Sequence, residues 1–220
     1  MQISETFFFD LDGPILDVST KYYQIYVDIV KELSGTPISK EAYWQNKRNK
    51  VPESTTLTAS DLHLDALSYY QNIRKEKIET NAYLTYDKVW PELLLYISNS
   101  PLRGKITLVT FRKNPRTLKK ELRDLGISSW FKDVLSINGD VNHRERHEDK
   151  VNLIRDHYKN DLTGFFIGDT ETDIRAGKAL GLKSIAVTFG IRNADILMRE
   201  KPDTLLNSPA ELVSWIKTFT

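Results

Sequence analysis

Two carboxylates stand two residues apart in Phe7-Phe8-Phe9-Asp10-Leu11-Asp12-Gly13, close to the start of a 220-residue chain. Three consecutive aromatics after Thr6 predict a short strand buried on both faces. Carboxylates at the end of such a strand are costly to bury unless something positive meets them. Residues i and i+2 of an extended segment point the same way, so Asp10 and Asp12 can address one site, and Gly13 permits a sharp turn with close approach of the backbone to a ligand. Two solvated aspartates in a strand-to-loop turn would be the plainer reading, but the rest of the chain argues against it. Gly164-Phe165-Phe166-Ile167-Gly168-Asp169 repeats the arrangement, and Asp173 follows. Lys105 to Thr110 is another buried strand, ending in a hydroxyl. Lys150 opens a helix that leads into the strand at 164. Oxygen ligands in this number suit Mg²⁺, which takes few protein ligands and keeps waters and a substrate phosphate. A carboxylate beside Mg²⁺ can attack phosphorus and form an aspartyl-phosphate. That chemistry needs positive charge and donors around the transferring group, which Lys150 and Thr110 supply.

Positioning these groups requires elements that end at one edge. From Lys105 onward, strands and helices alternate as in α/β proteins. Strands are expected at Lys105–Thr110, Asp133–Ile137, Gly164–Asp169 and Lys183–Thr188, with a short edge strand near Asp203–Leu206. A helix from Pro115 to Leu125 is stopped by Gly126 at its C′ position. The charged stretch Asn142 to Asp149 precedes a helix from Lys150 to His157, and Ser208-Pro209 opens the last helix. In open parallel sheets ligands bind outside the carboxyl ends of the strands, at the point where strand order reverses. Residues 18–83 contain no convincing strand and are expected to be helical. Helices are expected at Lys21–Leu33, from Ser39 through Trp44, and at Ser60–Asn81, with a polar, basic loop over 45–52. A further helix is expected from Tyr86 to Ile97, capped by Asp87.

Asp10-Leu11-Asp12-Gly13, Thr110, Lys150 and Gly168-Asp169-Thr170-Glu171-Thr172-Asp173 resemble, in order, the four motifs of the haloacid-dehalogenase-like (HAD) hydrolase superfamily. The stretch Ile167 to Gly190 looks most like phosphoglycolate-phosphatase-type members. The resemblance implies a doubly wound parallel sheet with a Rossmann-like core (1–17 and 84–220) and an inserted type-1 helical cap (18–83). It implies that Asp10 is the nucleophile and Asp12 the acid and base. Mg²⁺ would be held by the Asp10 carboxylate, the Asp12 backbone carbonyl and Asp169. Thr110 would hydrogen-bond a phosphoryl oxygen, Lys150 would neutralise charge beside Asp10, and Asp173 would support the site from behind. Gly13, Thr110, Arg112 and Lys150 are the candidate substrate-binding residues. Arg112 is read two ways, as a substrate contact or as a solvated loop arginine. Pro14 stands where such phosphatases usually have Thr, its missing hydroxyl and amide weakening a local turn, and Lys150 lacks the proline that follows it in many relatives, so Arg112 and Lys113 are alternatives to it. The basic run Lys47-Arg48-Asn49-Lys50 is read as solvated rather than as a substrate contact. His63, His143, His147 and His157 show no metal-ligand spacing.

Forty per cent hydrophobic and 28% charged residues describe an ordinary globular chain. A net charge of +1 gives no footprint for nucleic acid or an anionic membrane. No apolar run is long enough to span a bilayer, and Met1 to Thr6 lacks the pattern of a signal peptide. With no cysteine there is neither a disulfide framework nor thiolate chemistry. These features fit a cytoplasmic enzyme, as they would many binding domains, and the resemblance implies a small phosphorylated metabolite as its partner. The resemblance implies Mg²⁺-dependent hydrolysis of a phosphomonoester such as phosphoglycolate, a nucleotide or a sugar phosphate. A phosphomutase using the same residues, or a regulatory protein on this scaffold, are the alternatives. Oligomeric state is not legible.

Overall fold

The computed structural model describes residues 5–137, 146–159 and 162–220. Its central sheet has strands β1 (Thr6–Phe9), β2 (Ile106–Thr110), β3 (Phe131–Ser136), β4 (Gly164–Gly168), β5 (Lys183–Val187) and β6 (Thr204–Leu206). They run in the spatial order 3-2-1-4-5-6, and every pairing is parallel. This is the doubly wound order, and strand order reverses between β1 and β4. Phe9 lies opposite Leu108 of β2 and Ile167 of β4. Asp10, Thr110 and Asp169 therefore all fall within two residues of one line across three adjacent strand ends.

The chain forms two compact units: residues to Asp17 together with Val89–Thr220, and Val18–Lys88. Within the first, side chains alternate across the sheet as the strand pleat requires. Phe8 joins Val109, Leu135, Val151, Ile154 and Phe166 in one core cluster. Phe7 turns to the other face, where its ring meets Phe165, Trp215 and Phe219. A strand with no polar side follows from this sandwiching, and it explains the uninterrupted aromatic run. The second unit is helical: α1 (Ser19–Glu32), α2 (Lys40–Arg48), α3 (Glu53–Thr58), α4 (Ala66–Lys77) and α5 (Asn81–Leu84). Its core gathers Ile25, Tyr26, Ile29, Val30, Tyr43, Leu57 and Tyr70. Inside it the Lys21 ammonium meets Asp87 at 2.6 Å with both side chains fully buried.

Several expected elements differ. The single helix expected over Ser60–Asn81 is shorter, with α4 confined to Ala66–Lys77 and α5 separate. The expected loop over 45–52 begins late, because α2 continues to Arg48. Lys47 lies 3.9 Å from Glu53, and its ammonium sits over the Tyr22 ring. Residues 86–90 are not helical. Lys88–Val89 is extended, α6 (Pro91–Ile97) begins with proline in its first turn, and Asp87 is committed to Lys21 rather than to capping. α7 (Pro115–Asp124) ends as expected, with Gly126 at φ +72°. α8 (Arg146–His157) starts earlier than expected, and His143 lies outside the described residues. α9 (Glu171–Ala179), α10 (Ala194–Arg199) and α11 (Pro209–Ile216) complete the fold, α11 with Ser208 accepting from the Glu211 N–H. Among the described residues no helix is long and apolar enough to cross a membrane.

Candidate active site

The turn after β1 is built by backbone bonds. The Ile15 and Leu16 amides donate to the Leu11 carbonyl, and the Gly13 amide donates to that of Leu16. None of these bonds uses position 14, so Pro14, whose N–H is missing, leaves this turn intact. Gly13 sits at φ +108°, and a Cβ there would lie 2.0 Å from Asp169 Oδ2. Gly190 faces the same carboxylate, with a built Cβ at 2.2 Å. Two backbones thus close on Asp169 where no side chain fits. The Gly13 carbonyl accepts from the Trp90 indole at 2.8 Å, so both polar groups of this glycine are bonded within the protein, one inside the turn and one to Trp90.

One ammonium organises the carboxylates. Lys150 Nζ lies 3.0 Å from Asp10 Oδ1 and 2.6 Å from Asp173 Oδ1. The other Asp173 oxygen accepts from the Asp169 and Thr170 amides and from the Thr170 hydroxyl. Asp173 is therefore spent on holding Lys150 and the start of α9. Asp169 Oδ2 accepts from the Ile191 amide, while its Oδ1 is buried and has no hydrogen-bond partner among the described residues. Ligand atoms of Asp10, Asp169 and Asp173 lie within 4.8 Å of one another, the only such group among the described residues.

One lysine stands among these carboxylates, and burial disfavours the charged forms of Asp10 and Asp169. Burial pushes the Asp10 carboxyl up to about 7; Lys150 opposes this, while Asp173 and Asp12 add to it. Burial, with Asp173 and Asp10 behind it, also pushes Asp169 well above the usual carboxylate range. Burial alone would lower Lys150, but Asp10 and Asp173 outweigh it, and its ammonium is held above its ordinary value. A cluster short of positive charge, in which one carboxylate keeps a buried oxygen without a partner among the described residues, fits a hard divalent cation of the Mg²⁺ kind.

Thr110 is buried at the end of β2, where its hydroxyl accepts from the Arg112 amide at 3.3 Å. Arg112 is not a solvated loop residue. Its guanidinium is buried and reaches Asp12 Oδ1 at 2.7 Å and Glu121 Oε1 at 3.2 Å. Asp12 is the more exposed partner of this pair, with 20% of its side chain accessible. Glu121 and Trp90 escaped the sequence reading. Glu121 carried a signal, a charge between Leu118 and Leu122 on the buried face of α7; Trp90 carried none. Among the described residues no histidine belongs to a metal-ligand group, and His157 pairs with Asp133 at 3.2 Å.

A family model of haloacid dehalogenase-like hydrolases matches residues 5–181, and a HAD-hydrolase-like model matches residues 151–212. Similar curated proteins include the pyrophosphatase PpaX of Bacillus pumilus, 21% identical over 95% of this chain and 94% of that protein. The phosphoglycolate phosphatase of Photorhabdus laumondii is 22% identical over 94% of this chain and 90% of its own. A solved haloacid dehalogenase-like hydrolase of Streptococcus pneumoniae shares the fold, with a TM-score of 0.72 at 19% identity, covering 98% of this chain and 100% of that one.

Proposed function

The chain belongs to the haloacid dehalogenase-like hydrolase family, and from that membership and the geometry of its site we propose that it is a Mg²⁺-dependent phosphatase working through an aspartyl-phosphate. The observation that carries this reading is the Lys150 ammonium 3.0 Å from Asp10, beside the orphaned Asp169 oxygen. Asp10 attacks phosphorus as the bond to the leaving oxygen breaks, and Asp12 gives that oxygen its proton. Asp12 then takes a proton from the attacking water, the bond from phosphorus to Asp10 breaks, and inorganic phosphate leaves. Thr110 donates to a phosphoryl oxygen, and Lys150 neutralises charge beside Asp10. Asp10, Asp169 and the Asp12 backbone carbonyl would hold Mg²⁺, which when bound supplies charge neutralisation and favours the ionised form of Asp10. The helical unit Val18–Lys88 is the proposed cap. The substrate class is a small phosphorylated metabolite: phosphoglycolate, a nucleotide or sugar phosphate, or, given relatives named for it, pyrophosphate.

The test is phosphate release from a panel of these compounds, with Mg²⁺ or chelator, by wild type and Asp10→Asn. Turnover that disappears with chelator and in Asp10→Asn supports the reading. Release by Asp10→Asn at the wild-type rate would overturn the assignment of the nucleophile. An isomerised product with little free phosphate would point to a mutase instead.

A further inference from the structure

Resting on that reading of the site, we propose that Arg112, anchored by Glu121, is the positioning residue for Asp12: it acts on catalysis through the Asp12 carboxylate and not by binding substrate.

Glu121 lies on the face of α7 that buries Leu118 and Leu122, and its side chain is only 3% exposed. A carboxylate in that position is tolerated only with a cation hydrogen-bonded to it. Arg112, itself 5% exposed, is that cation. Just past β2 the Arg112 amide donates to the Thr110 hydroxyl, and its guanidinium reaches Asp12 beyond the end of β1. The same Nη2 that meets Glu121 also meets Asp12 Oδ1, at the shorter distance of 2.7 Å. A planar guanidinium whose Nη2 is also held by Glu121 offers a fixed donor, whereas a lysine would offer a mobile point charge. Asp12 sits on a tight turn with part of its side chain in solvent, so its orientation needs such an anchor. An acid and base that must reach first the leaving oxygen and then a water is sensitive to small misplacement.

The test is a double-mutant cycle of Arg112→Met and Asp12→Asn, followed by stopped-flow release of nitrophenol from p-nitrophenyl phosphate and by steady-state turnover of an alkyl phosphate. Arg112→Met alone should lower kcat by about 10- to 100-fold, a fraction of what acid–base catalysis contributes, with KM within about 2-fold of wild type. The loss should be greater for the alkyl phosphate, whose leaving oxygen needs the proton. In the Asp12→Asn background, Arg112→Met should change nitrophenol release less than about 2-fold, because residues acting as a unit are not additive. Arg112→Lys should recover part of kcat. If Arg112→Met fails to fold by circular dichroism, Arg112→Met/Glu121→Leu removes the buried pair together and takes its place in the cycle. A rise in KM that persists in the Asp12→Asn background would overturn the proposal in favour of direct substrate binding. Unchanged kcat in a folded Arg112 variant would overturn it outright. Failure of the wild type to release phosphate from any compound would instead refute the phosphatase reading on which it rests.

Discussion

Mg²⁺ affinity should rise steeply with pH, and the site supplies the magnitude. Without a bound cation the Asp10 carboxyl is pushed up to about 7, chiefly by burial. Below that pH it carries a proton that Mg²⁺ must displace, so apparent affinity falls about tenfold per pH unit. Between pH 8 and pH 5.5, this one proton predicts roughly 30-fold weaker binding, or about 2 kcal/mol. Asp169 is raised in the same direction and adds to the effect, so the 30-fold figure is a floor. The same shift sets how the cation-free protein responds. Asp10 binds its proton more tightly folded than unfolded, so stability falls as pH rises from the ordinary value of 3.8 through about 7. Added Mg²⁺ should therefore raise the melting temperature far more at pH 8 than at pH 5.5. Isothermal titration at both pH values, in two buffers of different ionisation enthalpy, measures affinity and proton release together. Equal affinity at both pH values with no proton released would refute the reasoning.

Three further perturbations probe other parts of the molecule. Gly13→Ala strains a backbone at φ +108° and drives a Cβ into the Asp169 carboxylate; it should cost about 2–5 kcal/mol in urea unfolding and weaken Mg²⁺ binding, and an unchanged midpoint would count against this close approach. Lys21→Met should destabilise the protein by roughly 3–5 kcal/mol by leaving Asp87 buried without its cation, while Lys21→Met/Asp87→Leu should recover most of that loss in the same assay. Asp203 accepts from the Ser184 hydroxyl and amide, which hold its carboxyl below its ordinary value. Its charge therefore stabilises the fold above the unfolded carboxylate range and ceases to do so as pH falls through the lowered folded value. Asp203→Asn should be less stable than wild type near neutrality, with the gap closing in acid; a gap independent of pH would exclude the charge as its cause.

Asp10, Thr110, Lys150, Asp169 and Asp173 were legible in the chain because strand patterning is local. Asp10, Thr110 and Asp169 each lie at the end of an apolar run and Asp173 within a helical turn of one, Lys150 lies in the first part of the helix before β4, and parallel strands in a doubly wound order bring such ends together. The order of the segments and the buried aromatic run of β1 were open to the same reasoning. Boundaries in the helical unit were less legible: periodicity alone extends one helix from Ser60 to Asn81 where α4 spans only Ala66–Lys77, because where a chain stops being helical depends on what its ends pack against. Asp87, a good cap by residue type, is instead taken by a lysine 66 positions away. Arg112 shows the limit most clearly. From the sequence it was a substrate contact or a solvated loop residue, since nothing near it announces Glu121 or Asp12 as partners. Glu121 is nine residues away on a helix, and Asp12 is 100 residues away at another strand end. Residue types and spacing determined which groups could do chemistry here, because those depend on local covalent order. That Lys21 serves Asp87, and Arg112 serves both Asp12 and Glu121, was decided only by the tertiary structure, because burial sets those pairings and burial is a property of the whole fold.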